Sequence, residues 1–179
     1  MASMFPETDL FSKVGFSGCG RISPADIKFY DEIRKICVDN RCRKYGSNYA
    51  CPPAVGSVEE CRQRCNSYKY AVVFNKIYLL EDSFDIEGMT AGSADFRRLC
   101  YVLQDRLKEL PRYRILANGG CTRCAKCGYP DGAPCAFPDT AFHSVEGYGI
   151  VVSELAALAG LKYINGENTM TYFGMLLHD

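Results

Sequence analysis

The stretch NGGCTRCAKCGYPDGAPCAFPDTAFH, residues 118–143, is dense in glycine, proline and cysteine. A loop of this length is uncommon inside a compact domain unless something organises it. Cys121, Cys124 and Cys127 follow the spacing C-x2-C-x2-C, and Cys135 comes after a gap of seven residues. Thiolates at this spacing can surround one compact metal centre, so we expect a metal centre to organise the loop.

Two kinds of centre fit this motif. The bacterial ferredoxin pattern C-x2-C-x2-C-x3-C-P has the same first half, although here the last gap is longer and the proline is Pro138. The surrounding glycines let the backbone fold tightly around a bulky inorganic core. The backbone amides can then donate hydrogen bonds to the sulfur atoms. Structural zinc more often uses two C-x2-C pairs with a longer spacer. We therefore predict an iron–sulfur cluster here, with zinc as the alternative.

A second cysteine motif lies earlier in the chain, where Cys37, Cys42 and Cys51 follow the spacing C-x4-C-x8-C and Cys51 precedes two prolines. Proline directly after a cluster cysteine is common in ferredoxins, where it stiffens the loop and removes a backbone donor. Beside the other motif, this spacing predicts a second cluster.

A four-thiolate cluster on the earlier motif needs one more ligand. We assign Cys65, with Cys61, Cys19 and an exchange of ligands between the two motifs as alternatives. Cys61 and Cys65 lie one turn apart on a predicted helix, so packing of a helix face is the competing interpretation for both.

The composition excludes several classes of protein. The 179 residues hold 11 cysteines, only 2 histidines, and equal numbers of basic and acidic residues, 21 each, which argues against a nucleic-acid binder. The odd cysteine count, and a start at residues 1–10 without a secretion signal, argue against a disulfide scaffold. No apolar run approaches the roughly 20 residues that span a membrane. We expect a cytoplasmic protein that binds neither nucleic acid nor membrane.

The remaining sequence predicts one α+β domain over residues 1–179, in which helices flank a small mixed sheet and the cysteine-rich loops extend from it. We predict strands over 70–80, 112–117 and 171–177, and a loop over 81–92. The predicted helices run from Ser23-Pro24 toward Cys37, from Ser57 with Glu60 in the capping-box position, from Ser93 to Leu110, and from near Ser144 to Gly160. Cys100 lies in the apolar stripe of the third helix, so we expect it in the core.

Basic residues accompany both motifs, with Arg41, Arg43 and Lys44 in the first and Arg123 and Lys126 in the second. A four-thiolate cluster carries net negative charge, so nearby cations would raise its potential or attract an acidic redox partner. Alternatively, these basic side chains are ordinary surface charges that have no role at a cluster.

Three stretches of the chain resemble the DUF2284 family of cysteine-rich, predicted metal-binding proteins of anaerobic bacteria and archaea. They are CVDNRCRKYGSNYACPPAVGSVEEC (37–61), GGCTRCAKCGYPDGAPCAFPDTAFHSVEGYGIVV (119–152) and NGENTMTYFGMLL (165–177). The resemblance implies metal ligands rather than a reaction. The cysteines to which it extends are Cys37, Cys42, Cys51, Cys121, Cys124, Cys127 and Cys135.

Three functions follow from these observations. The leading hypothesis is a [4Fe–4S] protein, with two clusters, that exchanges electrons with a redox partner protein. The second is an enzyme in which an iron with only three protein thiolates binds a small-molecule substrate, with Ser144 and Glu146 as the nearest polar groups. The third is a structural zinc module for protein–protein contact. A homodimer is compatible with all three.

Overall fold

The computed structural model describes residues 8–179, in which five strands form one mixed sheet in the order β1-β2-β5-β3-β4. Three neighbouring pairs are antiparallel, and β3 and β4 are parallel. This architecture confirms the predicted α+β class. The residues before position 8, where we looked for a secretion signal, lie outside the described part of the chain. The strands are β1 Gly18–Ile22, β2 Tyr70–Leu79, β3 Tyr113–Ala117, β4 His143–Ser144 and β5 Thr169–His178.

Helices cover both faces of the sheet, and the structure has two hydrophobic cores. One core contains residues of α1 and α4, and the other contains residues of α3 and α5. Strand β2, which lies between β1 and β5, is buried from Ala71 to Asn75, since Val73 faces the second of these cores and Phe74 the first. This explains its continuous apolar run. The helices are α1 Thr8–Val14, α2 Asp31–Val38, α3 Val58–Asn66, α4 Ile86–Arg106 and α5 Val152–Leu158, with 3-10 turns at Pro24–Asp26, Tyr129–Asp131 and Glu146–Tyr148.

The start of α3 matches the prediction from sequence. The Ser57 hydroxyl oxygen accepts the backbone N–H of Glu60 at 3.1 Å, and the Glu60 carboxylate accepts the N–H of Ser57 at 2.7 Å. This reciprocal capping box satisfies two backbone donors that a helix start otherwise leaves unpaired. The buried face of α3 carries Cys61 and Cys65 into the core.

The prediction of a loop over 81–92 is wrong, because α4 begins at Ile86. The Asp85 carboxylate caps this helix by accepting the N–H of Gly88 at 2.7 Å. Gly92 is needed inside the helix, since a Cβ there would lie 3.0 Å from the ring of Tyr78. Ser93 therefore sits in the second turn, and its hydroxyl accepts a hydrogen bond from Asn118 at 2.8 Å.

Two other helix starts differ from the prediction. Ser23 caps only a single 3-10 turn, and α2 begins later, at Asp31. Ser144 ends the short strand β4 instead of beginning a helix, and α5 begins at Val152. Strand β1 was not predicted because its glycines hide the pattern. Gly20 is required there, since a Cβ would lie 2.0 Å from the carbonyl oxygen of Ala159.

Candidate metal centres

The four cysteines of the later motif surround one cavity, which we call the second site. The backbone N–H of Arg123 donates to Cys121 Sγ at 3.4 Å, and that of Phe137 donates to Cys135 Sγ at 3.4 Å. Such bonds stabilise sulfur that carries negative charge. Burial raises the pKa of the Cys121 thiol, and the three neighbouring thiols add to that effect. The cavity is lined by Tyr49, Cys121, Arg123, Cys124, Cys127, Cys135, Phe137 and Ala141.

Arg123 is fixed at the wall of the second site rather than free in solvent. Its guanidinium carbon lies 4.9 Å from the ring centre of Tyr101 and 4.8 Å from that of Phe137, and one of its nitrogens lies 3.4 Å from the side-chain oxygen of Gln104. Two aromatic faces hold a cation well. Lys126, by contrast, is an exposed side chain that pairs with Asp131 at 2.7 Å. The alternative of an ordinary solvent-exposed charge therefore applies to Lys126 and not to Arg123.

The three cysteines of the earlier motif line a cleft of about 330 Å³, which we call the first site. Cys51 is buried at its base, Cys37 is half-buried and Cys42 is exposed at its rim. The space far exceeds the roughly 10–15 Å³ that one water needs. The cleft is lined by Ile36, Cys37, Arg41, Cys42, Lys44, Tyr45, Cys51, Gly119, Gly120, Ser144 and Glu146.

The thiols of Cys51 and Cys37 at the first site are protonated at neutral pH in the absence of metal. Burial raises the pKa of Cys51, the hydrogen bond from Asn48 opposes that effect, and the negative charges of Cys42, Cys37 and Glu146 add to it, so that the pKa reaches about 11. Burial also raises the pKa of Cys37. Any metal group bound here must therefore displace protons, which makes its binding stronger at higher pH.

Asn48 is a structural residue of the first site that sequence reasoning missed. Its side-chain amide donates to the carbonyl oxygen of Lys44 at 3.1 Å, and its oxygen accepts the N–H of Ala50 at 2.9 Å. Gly120 packs against it so closely that a Cβ would lie 3.2 Å from Asn48 Nδ2. The bond to the N–H two residues on is an Asx turn, so an asparagine two residues before ACPP was the available signal.

Ser144 and Glu146, the polar candidates from the sequence, do lie beside these thiols. The Ser144 hydroxyl donates to Glu146 Oε2 at 3.0 Å and accepts the backbone N–H of Gly147 at 3.0 Å. The backbone N–H of Ser144 donates to the carbonyl oxygen of Ala50 at 2.9 Å, next to Cys51. This chain of bonds fixes one carboxylate oxygen of Glu146 relative to the cysteine loop.

The structure does not bring Cys65 to the first site. It is fully buried on α3 within the core, and its pKa is raised to about 12 by burial together with the neighbouring thiol of Cys61. Cys61 is also fully buried, and its Sγ lies 3.6 Å from a nitrogen of Arg34 and 3.8 Å from one of Arg64.

The last two cysteines lie on other elements of the fold. Cys19 is half-buried on β1, and Cys100 is fully buried on α4 as predicted.

The two sites are neighbours that share two short chain segments. Gly120 lines the first site and Cys121, the next residue, lines the second. Likewise Tyr49 lines the second site and Cys51 lines the first. Two residues of extended chain span at most about 7 Å, so the walls of the two sites are separated by little more than the thickness of the backbone.

The thiols of each site surround a space and do not meet at one point. Within residues 8–179, no three side chains of His, Cys, Asp or Glu stand close enough together to hold a single metal ion. The same residues contain no helix that is long and apolar enough to cross a membrane.

Comparison with known proteins also indicates metal binding. A family model described as predicted metal-binding protein (DUF2284) matches residues 20–178. No curated protein and no solved structure matches the chain.

Proposed function

This chain belongs to the DUF2284 family of predicted metal-binding proteins, and from that premise we propose that it is a [4Fe–4S] protein with two clusters that exchanges electrons with a partner protein. Metal binding is the property that the description of the family predicts. The kind of metal centre, its number and its role are our additions. The proposed ligands are Cys37, Cys42 and Cys51 at the first site and Cys121, Cys124, Cys127 and Cys135 at the second.

The contiguity of the two sites is the observation that carries the proposal. Because Gly120 and Cys121 are consecutive and line different sites, two clusters would stand within the short range that electron transfer requires. Cys42 is exposed and the four thiols of the second site are half-buried, so each cluster would also approach the surface. Electrons could enter at one cluster and leave at the other.

The spacing of the thiols supports clusters more than zinc. Structural zinc more often uses two C-x2-C pairs with a longer spacer, whereas Cys121, Cys124 and Cys127 lie in one tight run. The backbone donors of Arg123 and Phe137 that reach Sγ atoms are typical of the surroundings of iron–sulfur clusters.

When bound, the clusters would supply one-electron redox chemistry, and the protein would tune it. The Arg123 guanidinium between two rings places a fixed positive charge beside the second cluster, which favours the reduced state. Asn48 shapes the loop that presents Cys51. Arg41 and Lys44 at the rim of the first cleft suit an acidic redox partner. We place this electron transfer in the cytoplasm.

A second candidate function is an enzyme whose first cluster is open to a small-molecule substrate. The observation that favours it is the composition of the first cleft, which three cysteines line and which Cys65 does not reach. An iron without a fourth thiolate could act as a Lewis acid.

Anaerobic purification tests the proposal. Two clusters predict a brown protein with about eight irons and eight acid-labile sulfides per chain. About four of each would reduce the proposal to one centre. A colourless protein with stoichiometric zinc and no sulfide would overturn both functions and leave the structural zinc module.

A further inference from the structure

We propose that the carboxylate of Glu146 takes the fourth coordination position of the cluster held by Cys37, Cys42 and Cys51. This inference rests on the proposed function, because it concerns a ligand of the first cluster. It differs from the assignment of Cys65 by sequence and names a residue that the cysteine pattern does not contain.

The first argument is the lining of the first cleft. Three thiols line it, and among residues 8–179 Glu146 is the only carboxylate on its wall. Cys65 lies instead in the core behind α3, beside Cys61. A cluster in this cleft would have to turn its fourth iron toward a group other than Cys65.

The second argument is the closeness of Glu146 to the thiols. Glu146 lines the same cleft as Cys37, Cys42 and Cys51. The backbone N–H of Ser144, whose hydroxyl donates to the Glu146 carboxylate, donates in turn to the carbonyl oxygen of Ala50 at 2.9 Å, directly before Cys51 in the chain.

The third argument is that the carboxylate is already oriented. Ser144 donates to Glu146 Oε2 at 3.0 Å, and Gly147 holds the Ser144 hydroxyl in place at 3.0 Å. Within the described residues, Oε1 accepts no hydrogen bond from the protein and is therefore available to a metal. A hydrogen bond to one oxygen of a ligating carboxylate is the outer-shell arrangement that metal sites commonly use.

A carboxylate ligand would make the fourth iron labile. Carboxylate oxygen is a harder ligand than thiolate and holds cluster iron less firmly. Oxidation by one electron should then release that iron, following [4Fe–4S]2+ → [3Fe–4S]+ + Fe2+ + e−, with the electron taken by an added oxidant such as ferricyanide. The second cluster, with four thiolates, should resist this conversion.

The experiment compares full-length variants loaded anaerobically and treated with one equivalent of ferricyanide. In the unmodified protein we expect the electron paramagnetic signal of about one [3Fe–4S]+ core per chain and loss of about one of eight irons. Glu146→Cys should suppress that signal at least about fivefold, because a fourth thiolate retains the iron. Glu146→Gln should lose the iron before any oxidant is added. The matched control, Glu167→Gln, changes an exposed carboxylate elsewhere and should behave as the unmodified protein.

Cys65→Ala decides between the two assignments without relying on the Glu146 variants. If Glu146 is the ligand, the oxidant should produce the [3Fe–4S]+ signal in this variant to the same extent as in the unmodified protein. Oxidative loss of iron in Cys65→Ala, but not in the unmodified protein, would overturn the inference and restore Cys65. If unmodified protein with eight irons resists the oxidant and Glu146→Gln keeps all of them, the inference fails while the proposed function stands. Absence of iron and sulfide would instead remove the proposed function itself.

Discussion

The hydroxyl of Tyr49 donates to the carbonyl oxygen of Ala133 at 2.7 Å, across 84 residues of sequence. Tyr49 lies two residues before Cys51 of the first site, and Ala133 lies two residues before Cys135 of the second. The ring of Tyr49 also meets that of Tyr129 edge-on, with centres 5.0 Å apart. One side chain therefore fastens the two cysteine loops to each other.

Tyr49→Phe should loosen the second site while keeping the ring contact. Loss of one hydrogen bond is worth about 1 kcal/mol, so we expect an approximately fivefold faster release of iron to a chelator under anaerobic conditions. Tyr163→Phe, which changes a half-exposed tyrosine stacked on Phe173, is the control and should leave the rate unchanged. Equal rates of iron release in all three proteins would mean that the hydrogen bond to Ala133 does not stabilise the second site.

When the protein is loaded with excess iron and sulfide, Cys124→Ser should remove the second cluster and leave the first. Iron and sulfide should both fall from about eight to about four per chain. Cys100→Ala removes a thiol from the buried face of α4 and serves as the control. It should keep all of its iron and lose only packing, about 1 kcal/mol of unfolding free energy. Iron loss in both variants would indicate that unfolding, rather than ligation, is being measured.

Periodicity and capping gave reliable predictions where the local pattern and the burial agree. The strand β2 and the start of α3 at Ser57 were both predicted, because each depends on a run of neighbouring residues. Strand β1 was missed because it is set by contacts from far along the chain. Its Gly20 makes room for Ala159, and no local pattern reports such a contact.

The cysteine spacing grouped the thiols of each motif but could not complete the first site. The spacing defines which cysteines are close in sequence, and the structure does gather them around two cavities. The position of Glu146 beside Cys51 depends on the pairing of Ser144 with Ala50, a tertiary contact between distant loops. Cys65 looked suitable because it is near in sequence, yet its helix turns it into the core.

Arg123→Gln should lower the reduction potential of the second cluster. Removal of a fixed positive charge destabilises the reduced state, and we expect a shift of tens of millivolts, since about 59 mV is a tenfold change for one electron. Lys126→Gln is the comparison, because Lys126 is exposed and paired with Asp131 and so is more strongly screened. Redox titration followed by paramagnetic resonance measures both. Equal shifts would contradict a special role for the aromatic pair around Arg123.

His143 should weaken the fold as the pH falls. Burial, then the charges of Arg114 and Arg64, lower the pKa of His143 to about 3. The Arg114 guanidinium can only donate, so Nε2 accepts from it at 3.4 Å, and the protonated Nδ1 donates to the Tyr148 hydroxyl at 2.6 Å. A second proton on the ring would therefore oppose Arg114.

The unfolded chain binds that proton near pH 6.5, so the stability that a neutral His143 provides is present above this pH and is lost as the pH falls toward 3. Between pH 7 and 5.5 the loss is about 1 kcal/mol. His143→Gln should show a shallower decline in thermal midpoint over this range than the unmodified protein. His178, whose pKa burial also lowers, supplies part of the remaining decline. Parallel curves for the two proteins would rule out the contribution of His143.

The segments that line both sites, 49–51 and 119–121, have a consequence for how the protein matures. Filling either site orders a stretch of chain that the other site also needs, so the first insertion removes part of the entropy cost of the second. Such coupling is reciprocal, whichever site is filled first. During assembly in limited iron, chains should therefore be found mostly empty or fully loaded, with half-loaded chains scarce.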